Sequence, residues 1–144
     1  MDYNFQKEVI NILNNNTVWK NDGFILIPTD EKNANFTIEL RHREKMPKYG
    51  NDTYKNGKKI YFSLTVNGKI ILIDHINWKG VPESLLSVPE YKKYVITHEV
   101  GHALGFDHEP CMMKNNKCDV MYQMTRGPPD GYHITNEMGY GVDY

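Results

Sequence analysis

The chain has 144 residues, a length that fits one domain with a single hydrophobic core. Its 17 basic and 18 acidic side chains give a formal net charge of −1, which provides no strong field for nucleic acid or for an anionic membrane. No run of eighteen apolar residues occurs, so no transmembrane helix is expected. We therefore expect a single domain over residues 1–144, a monomer without nucleic-acid or membrane partners.

The N-terminal segment predicts an amphipathic helix. Apolar residues recur at the helical period over about residues 3–15, and three asparagines at 14–16 end the pattern. The first ten residues are acidic and amphipathic, unlike a signal peptide. A cytoplasmic location is therefore the expectation for the chain as given.

Two strands and a loop are predicted next. The apolar run FILIP at residues 24–28 predicts a short buried strand, and FTIEL at 36–40 alternates as a second one. Residues 43–58 are rich in Pro, Gly, Asn and Lys, which predicts a loop. Its basic runs indicate a solvated, mobile segment more than a binding patch.

A hairpin and a second helix complete the predicted elements. IYFSLTV at 60–66 and KIILIDHI at 69–76 flank Asn67-Gly68, the strongest short signal for a hairpin. A helix over about residues 88–104 then begins at the capping box formed by Ser87 with the glutamate three residues later. Together the elements predict an α+β domain: a twisted sheet of about four strands, a backing helix, and the second helix packed on the sheet.

The last part of this second helix carries the motif HEVGHALGFDH, residues 98–108. His98 and His102 are four residues apart, so on a helix both imidazoles can reach one metal ion. Gly105 tolerates the left-handed conformation that ends a helix, which lets the chain turn and bring His108 to the same ion. Three neutral nitrogen ligands suit one catalytic Zn²⁺ and leave a fourth position for water. The alternative, exposed histidines on a capped helix, needs all these residues to fall in register by chance.

Glu99 lies one position round from the ligand face, within reach of a water on the metal but not placed as a ligand. In H-E-x-x-H motifs the glutamate is the general base. The predicted reaction is hydrolysis of a peptide bond, in which zinc lowers the pKa of the attacking water to about 7. Glu99 would accept its proton and return it to the leaving amine.

The motif resembles H-E-x-x-H-x-x-G-x-x-H of the metzincin metallopeptidases, and Cys118-Asp119-Val120-Met121-Tyr122 resembles their methionine turn. The Met-Tyr pair is similar to matrixins. More closely, the chain resembles an uncharacterised metzincin-like domain of actinobacterial proteins. That likeness includes YKKYVITHEVGHALG, HEPC, VMYQMT, Trp19, NANFTIEL and Ile76-Asn77-Trp78. It covers most of the chain, with its specific motifs in residues 91–124.

The resemblance implies a small metzincin-like fold and a zinc-dependent endopeptidase acting on peptide or protein substrates. Met121 would support the zinc site from below without binding the ion. An extended substrate would add along an edge strand, for which residues 60–66 are the candidate. Tyr61 and Tyr122 are the candidate cleft residues, Tyr122 alternatively being part of the core. Residues 122–129 would form a wall of the pocket just after the scissile bond.

Two rival functions stay open. One is a catalytically inactive zinc-containing module that binds a peptide or a partner, against which the presence of Glu99 argues. The other is a zinc hydrolase of a non-peptide amide, which the motif does not separate from a peptidase. The cysteines Cys111 and Cys118 leave a similar choice, since their spacing allows either a disulfide or two reduced thiols.

Overall fold

Two helices of more than three turns and a mixed three-stranded sheet form an α+β domain in the computed structural model, which describes residues 3–48, 52–111, 118–127 and 142–143. The helices are α1 (Tyr3–Asn15), the single turn α2 (Val18–Asn21) and α3 (Val88–Ala103). Both predicted helices are confirmed, the second ending one residue early. Among the described residues, no helix combines the length and apolar character needed to cross a membrane.

The strands are short. In chain order they are β1 (Thr37–Arg41), β2 (Thr53–Lys55), β3 (Lys58–Ile60), β4 (Leu64–Val66), β5 (Ile70–Asp74), β6 (Cys118–Asp119) and β7 (Val142–Asp143). The main sheet has the order β1-β5-β4, with β1 parallel and β4 antiparallel to the central β5. The pairs β2-β3 and β6-β7 form separate two-stranded sheets.

The hydrophobic core lies where β5 meets the two long helices. Four of the five residues of β5 are buried, as expected for a central strand covered on both faces. Ile71 and Ile73, two residues apart, point into the cluster that α1 and α3 complete. The cluster also holds Phe5, Val9, Trp19, Trp78, Tyr91, Tyr94, Val95, Ile96 and Val100. This packing fixes α3, and with it the predicted metal ligands, against the sheet.

The predicted hairpin around Asn67-Gly68 is present between β4 and β5. Both residues have positive φ, +54° and +66°, and the amide of Lys69 donates to the carbonyl of Val66 at 3.0 Å. Two consecutive left-handed residues are typical of a type I′ turn, whose twist matches that of the strands.

The predicted strand 60–66 divides into two, because residues 61–63 make side-chain contacts instead of a strand ladder. The Asn77 amide donates to the carbonyl of Tyr61 at 2.7 Å, and the Ser63 hydroxyl accepts the amide of Asp74 at 3.0 Å. Only β4, Leu64–Val66, pairs with β5.

The prediction of a buried strand at residues 24–28 is wrong. Phe24 and Leu26 pack against the core, but the alternate residues Ile25 and Ile27 are 82% and 75% exposed. The segment has the apolar pattern of a strand, but no described strand pairs with it. A strand requires a neighbouring backbone as well as suitable side chains.

The prediction of a loop over residues 43–58 is also wrong in its second half, which contains the hairpin β2-β3. Thr53 pairs with Ile60, and the turn is formed by Asn56 and Gly57, with φ of +52° and +77°. This is the same Asn-Gly signal that marks the other hairpin, placed here within a lysine-rich run. The Lys55 ammonium donates to the carbonyl of Arg126 at 2.7 Å, which ties the hairpin to the chain after the metal motif.

Candidate metal centre

Three histidine side chains converge at the end of α3. The imidazoles of His98, His102 and His108 each offer a ring nitrogen, and the three nitrogens lie within 4.8 Å of one another. His98 is buried at 5% exposure, His102 is half-buried and His108 is exposed. The cluster is therefore anchored in the core on one side and open to solvent on the other.

The turn that brings His108 to the cluster is a Schellman motif. Gly105 has φ of +99°, a left-handed conformation that side chains rarely adopt. Its amide donates to the carbonyl of His102 at 3.0 Å, and the amide of Phe106 donates to the carbonyl of Gly101 at 2.9 Å. These bonds end α3 and reverse the chain within one turn of the two helical histidines.

Backbone carbonyls orient two of the imidazoles. Nδ1 of His98 lies 2.7 Å from the carbonyl oxygen of Val120, and Nδ1 of His102 lies 2.8 Å from that of Phe106. A carbonyl oxygen only accepts, so in the neutral rings the proton is on Nδ1 and Nε2 carries the lone pair. Metal-binding histidines are held in this way by a partner on the other ring nitrogen.

The separation between two of the nitrogens is close to that expected at a shared ion. Nε2 of His102 and Nε2 of His108 are 3.1 Å apart. Two nitrogens bound to one tetrahedral Zn²⁺ at about 2.0–2.1 Å would lie about 3.3 Å apart. Three imidazole nitrogens are a donor set that suits Zn²⁺ and leaves a fourth position free. The residues present therefore fit the predicted ion.

Removal from water, nearly complete for His98 and partial for His108, favours the neutral form of both rings. Removal from water lowers the pKa of His98 to about 3, outweighing its hydrogen bond to Val120, which raises it. Burial also lowers the pKa of His108, with a further contribution from nearby His102. Both rings are thus unprotonated at neutral pH, the form that binds a metal.

Glu99 is a buried carboxylate beside this cluster, with 4% of its surface exposed. Burial raises its pKa to about 8, although a hydrogen bond from Thr65 partly opposes the rise. The Thr65 hydroxyl lies 3.0 Å from the Glu99 carbonyl oxygen and 3.4 Å from Oε2 of its carboxylate. Glu99 and the three histidines line one cleft.

Met121 lies under α3, against a helical glycine. Its sulfur is 2.5 Å from the point that a β-carbon on Gly101 would occupy, and the ring of Trp19 is 2.6 Å from the same point. Any side chain at Gly101 would collide with both, which explains a glycine within the last turn of α3. Met121 itself is 3% exposed.

Substitutions at Met121 should separate packing from metal binding. Met121→Leu conserves volume, so we expect it to lower the free energy of unfolding by under about 1.5 kcal/mol and to leave zinc bound. Met121→Ala should open a cavity and cost about 2–5 kcal/mol. Chemical denaturation with parallel metal analysis measures both effects. A Met121→Leu protein that folds normally but binds no metal would contradict a packing role.

Two tyrosines of α3 hold the segment that follows Met121. The Tyr94 hydroxyl donates to the carbonyl of Tyr122 at 2.8 Å and accepts the amide of Met124 at 2.8 Å. The Tyr91 hydroxyl lies 2.9 Å from that of Thr125. From the sequence, both tyrosines are recognisable only as members of the apolar pattern of a buried helix, so these hydrogen bonds were not predicted. The one available signal is that a buried tyrosine hydroxyl usually has a partner.

A disulfide closes the connection between the third histidine and the methionine. Cys111 and Cys118 are bonded to each other, which decides between the two alternatives that the sequence left open. The amide of Glu109 also donates to the carbonyl of Met121 at 3.0 Å. The residues next to His108 and those next to Met121 are therefore joined both covalently and by backbone hydrogen bonding.

The cleft has a volume of about 450 Å³ and lies between a strand edge and the chain after Met121. Besides the metal-site residues, it is lined by Thr53, Phe62, Ser63, Leu64, Thr65, Gln123, Thr125 and Arg126. β4 pairs with β5 on one side only, so its other edge is free among the described strands. Part of the predicted wall, Pro128 and Pro129, lies outside the described residues.

The two tyrosines predicted as cleft residues do not line it. The guanidinium carbon of Arg43 lies over the Tyr61 ring, 3.9 Å from the ring centroid. The guanidinium in turn donates two hydrogen bonds of 3.0 Å to the buried carboxylate of Asp74. Tyr61 is therefore not among the residues that line the cleft, although its neighbour Phe62 is. Tyr122 packs against the core, the alternative that the sequence also allowed.

A family model matches residues 1–141, nearly the whole chain. The chain belongs to the family DUF3152, described as a protein of unknown function. No curated protein and no solved structure matches it. Because the DUF3152 description names no activity, the function is inferred from the site itself.

Proposed function

We propose that the chain is a zinc-dependent endopeptidase of the metzincin type. His98, His102 and His108 would hold one Zn²⁺, and Glu99 would act as the general base. One observation carries the proposal: three imidazole nitrogens, two of them oriented by backbone carbonyls, converge beside a buried carboxylate in one open cleft. Perturbed titratable groups gathered in a cleft are typical of active sites.

The ion would act as a Lewis acid. When bound, Zn²⁺ lowers the pKa of a water molecule and stabilises negative charge that develops on the substrate carbonyl oxygen. The chain provides a preorganised set of ligands, because the carbonyls of Val120 and Phe106 orient His98 and His102, and burial keeps His98 neutral.

Glu99 would move the proton. Its burial disfavours the charged form, and a nearby cation favours it, so the carboxylate would be ionised and basic when the site is loaded. It would accept a proton from the attacking water and deliver it to the leaving amine. The position of Glu99 on α3, directly after His98, keeps it next to the ligand face without making it a ligand.

The free edge of β4 supports an extended peptide as the substrate. A peptide adding to a strand edge satisfies its backbone hydrogen bonds there, while its side chains enter neighbouring pockets. Gln123, Thr125 and Arg126, which follow Met121 in the chain, also line the cleft. A cleft bordered by a strand edge therefore suits an extended peptide better than a small non-peptide amide, which has no backbone to pair with the strand.

The experiment that tests this function is a cleavage profile. The zinc-loaded chain is incubated with a mixed peptide library and, separately, with a panel of non-peptide amides, and products are identified by mass spectrometry. We expect internal peptide bonds to be cut. Hydrolysis confined to the non-peptide amides would support the other hydrolase, and zinc binding without any hydrolysis would support the inactive binding module.

A further inference from the structure

A hydroxyl on the edge strand contacts the carboxylate of the base, and no motif of the sequence indicates this contact. We propose that Thr65 is a positioning residue for the reaction, holding the Glu99 carboxylate in the orientation in which it exchanges a proton. The inference rests on the proposed function, since it assigns a role within that site.

The geometry of Thr65 supports this role. Its Oγ1 lies 3.0 Å from the carbonyl oxygen and 3.4 Å from Oε2 of Glu99, so one hydroxyl is shared between the backbone and the side chain of the same residue. Thr65 is β-branched and stiff about χ1. It also pairs in register with Ile71, which is fully buried in the central strand. The donor is therefore held on a fixed element.

Glu99 needs such a contact. Within the part of the chain that the structure describes, Thr65 is the only side chain that donates a hydrogen bond to this carboxylate. A glutamate side chain has three rotatable bonds, and a buried one without a partner loses both solvation and orientation. Holding one oxygen at Thr65 restricts the directions available to the other.

Thr65 also connects the base to the edge that would bind the substrate. It lies in β4, whose free edge borders the cleft. A peptide adding to that edge would bind the same strand that orients the carboxylate. A purely structural alternative is that the hydroxyl only joins β4 to α3 through the Glu99 backbone carbonyl.

Two substitutions separate these roles. Thr65→Val keeps the shape and removes the hydroxyl, and Thr65→Ser keeps the hydroxyl. For the zinc-loaded protein we expect Thr65→Val to lower kcat by about tenfold, equivalent to about 1.4 kcal/mol, with KM within about twofold. Thr65→Ser should restore most of kcat. The matched control is Thr37→Val, because Thr37 is a threonine of β1 in the same sheet and does not line the cleft, and its kcat should stay at the wild-type value.

A second measurement does not depend on activity. With ¹³C-labelled glutamate carboxyl groups, the Glu99 resonance is assigned by its loss in Glu99→Gln. Thr65→Val should shift this resonance, and Thr65→Ser and Thr37→Val should not. Wild-type kcat in Thr65→Val, an unshifted resonance, or a loss explained by lost zinc or lowered stability would overturn the inference. Absence of peptide hydrolysis in the wild type would instead count against the proposed function. The shift of the resonance would then still show whether Thr65 contacts the Glu99 carboxylate.

Discussion

Replacing Glu99 by alanine should lower peptide hydrolysis by at least about 10²-fold, the lower end of what a general base contributes. The zinc content should stay at the wild-type level, because Glu99 is not one of the three residues whose side-chain nitrogens converge. The fold should persist as well, since the substitution removes a buried ionisable group whose pKa is already raised by burial.

Glu99→Gln is the stricter form of this test. It keeps the size of the side chain and an oxygen that can accept from Thr65, and removes only the basicity. Steady-state rates of both variants, with zinc measured in the same samples, give the answer. Hydrolysis at the wild-type rate by a zinc-loaded Glu99→Gln protein would remove the base from the mechanism.

Replacing His102 by alanine should remove most of the bound zinc. Loss of a partner that merely orients a ligand typically weakens metal binding by about 10–100-fold, so loss of a ligand should cost at least about 100-fold. His102 is half-buried, and its substitution perturbs the core less than that of buried His98. Zinc that binds the native state should raise the melting temperature of the wild type, and the melting temperature of His102→Ala should respond little to added zinc.

His42→Ala is the matched control for the metal site. His42 packs against the His75 ring at 4.6 Å between centroids and contributes nothing to the three-histidine cluster. We expect it to bind one zinc per chain, the same content that we expect for the wild type. Stoichiometric zinc in purified His102→Ala would show that the ligand assignment is wrong.

The elements that the sequence predicts best are those determined by local chemistry. Ser87 accepts the amide of Glu90 at 3.3 Å and begins α3, and Gly105 ends it with a positive φ. The Asn67-Gly68 turn is equally local. The histidine spacing likewise depends only on helical geometry and one turn, which is why the three nitrogens could be placed together from the motif.

The features that the sequence did not predict depend on contacts between distant segments. Residues 24–28 have the composition of a strand but no strand beside them, and composition does not reveal a missing neighbour. Thr65 contacts a residue 34 positions away, and Tyr94 holds Tyr122 and Met124 from a different element. The hairpin at Asn56 is the exception, because its signal was local and was obscured by the surrounding lysines.

The most direct test of zinc-dependent peptide hydrolysis is to follow the rate of cleavage as zinc is returned to the metal-free chain. The protein is stripped with a chelator, and zinc is added back in steps while cleavage of one library-derived peptide is followed. We expect no hydrolysis without zinc, a rise in proportion to the zinc added, and saturation at one ion per chain. Hydrolysis that persists in the stripped protein, or that never appears at one bound zinc per chain, would contradict it.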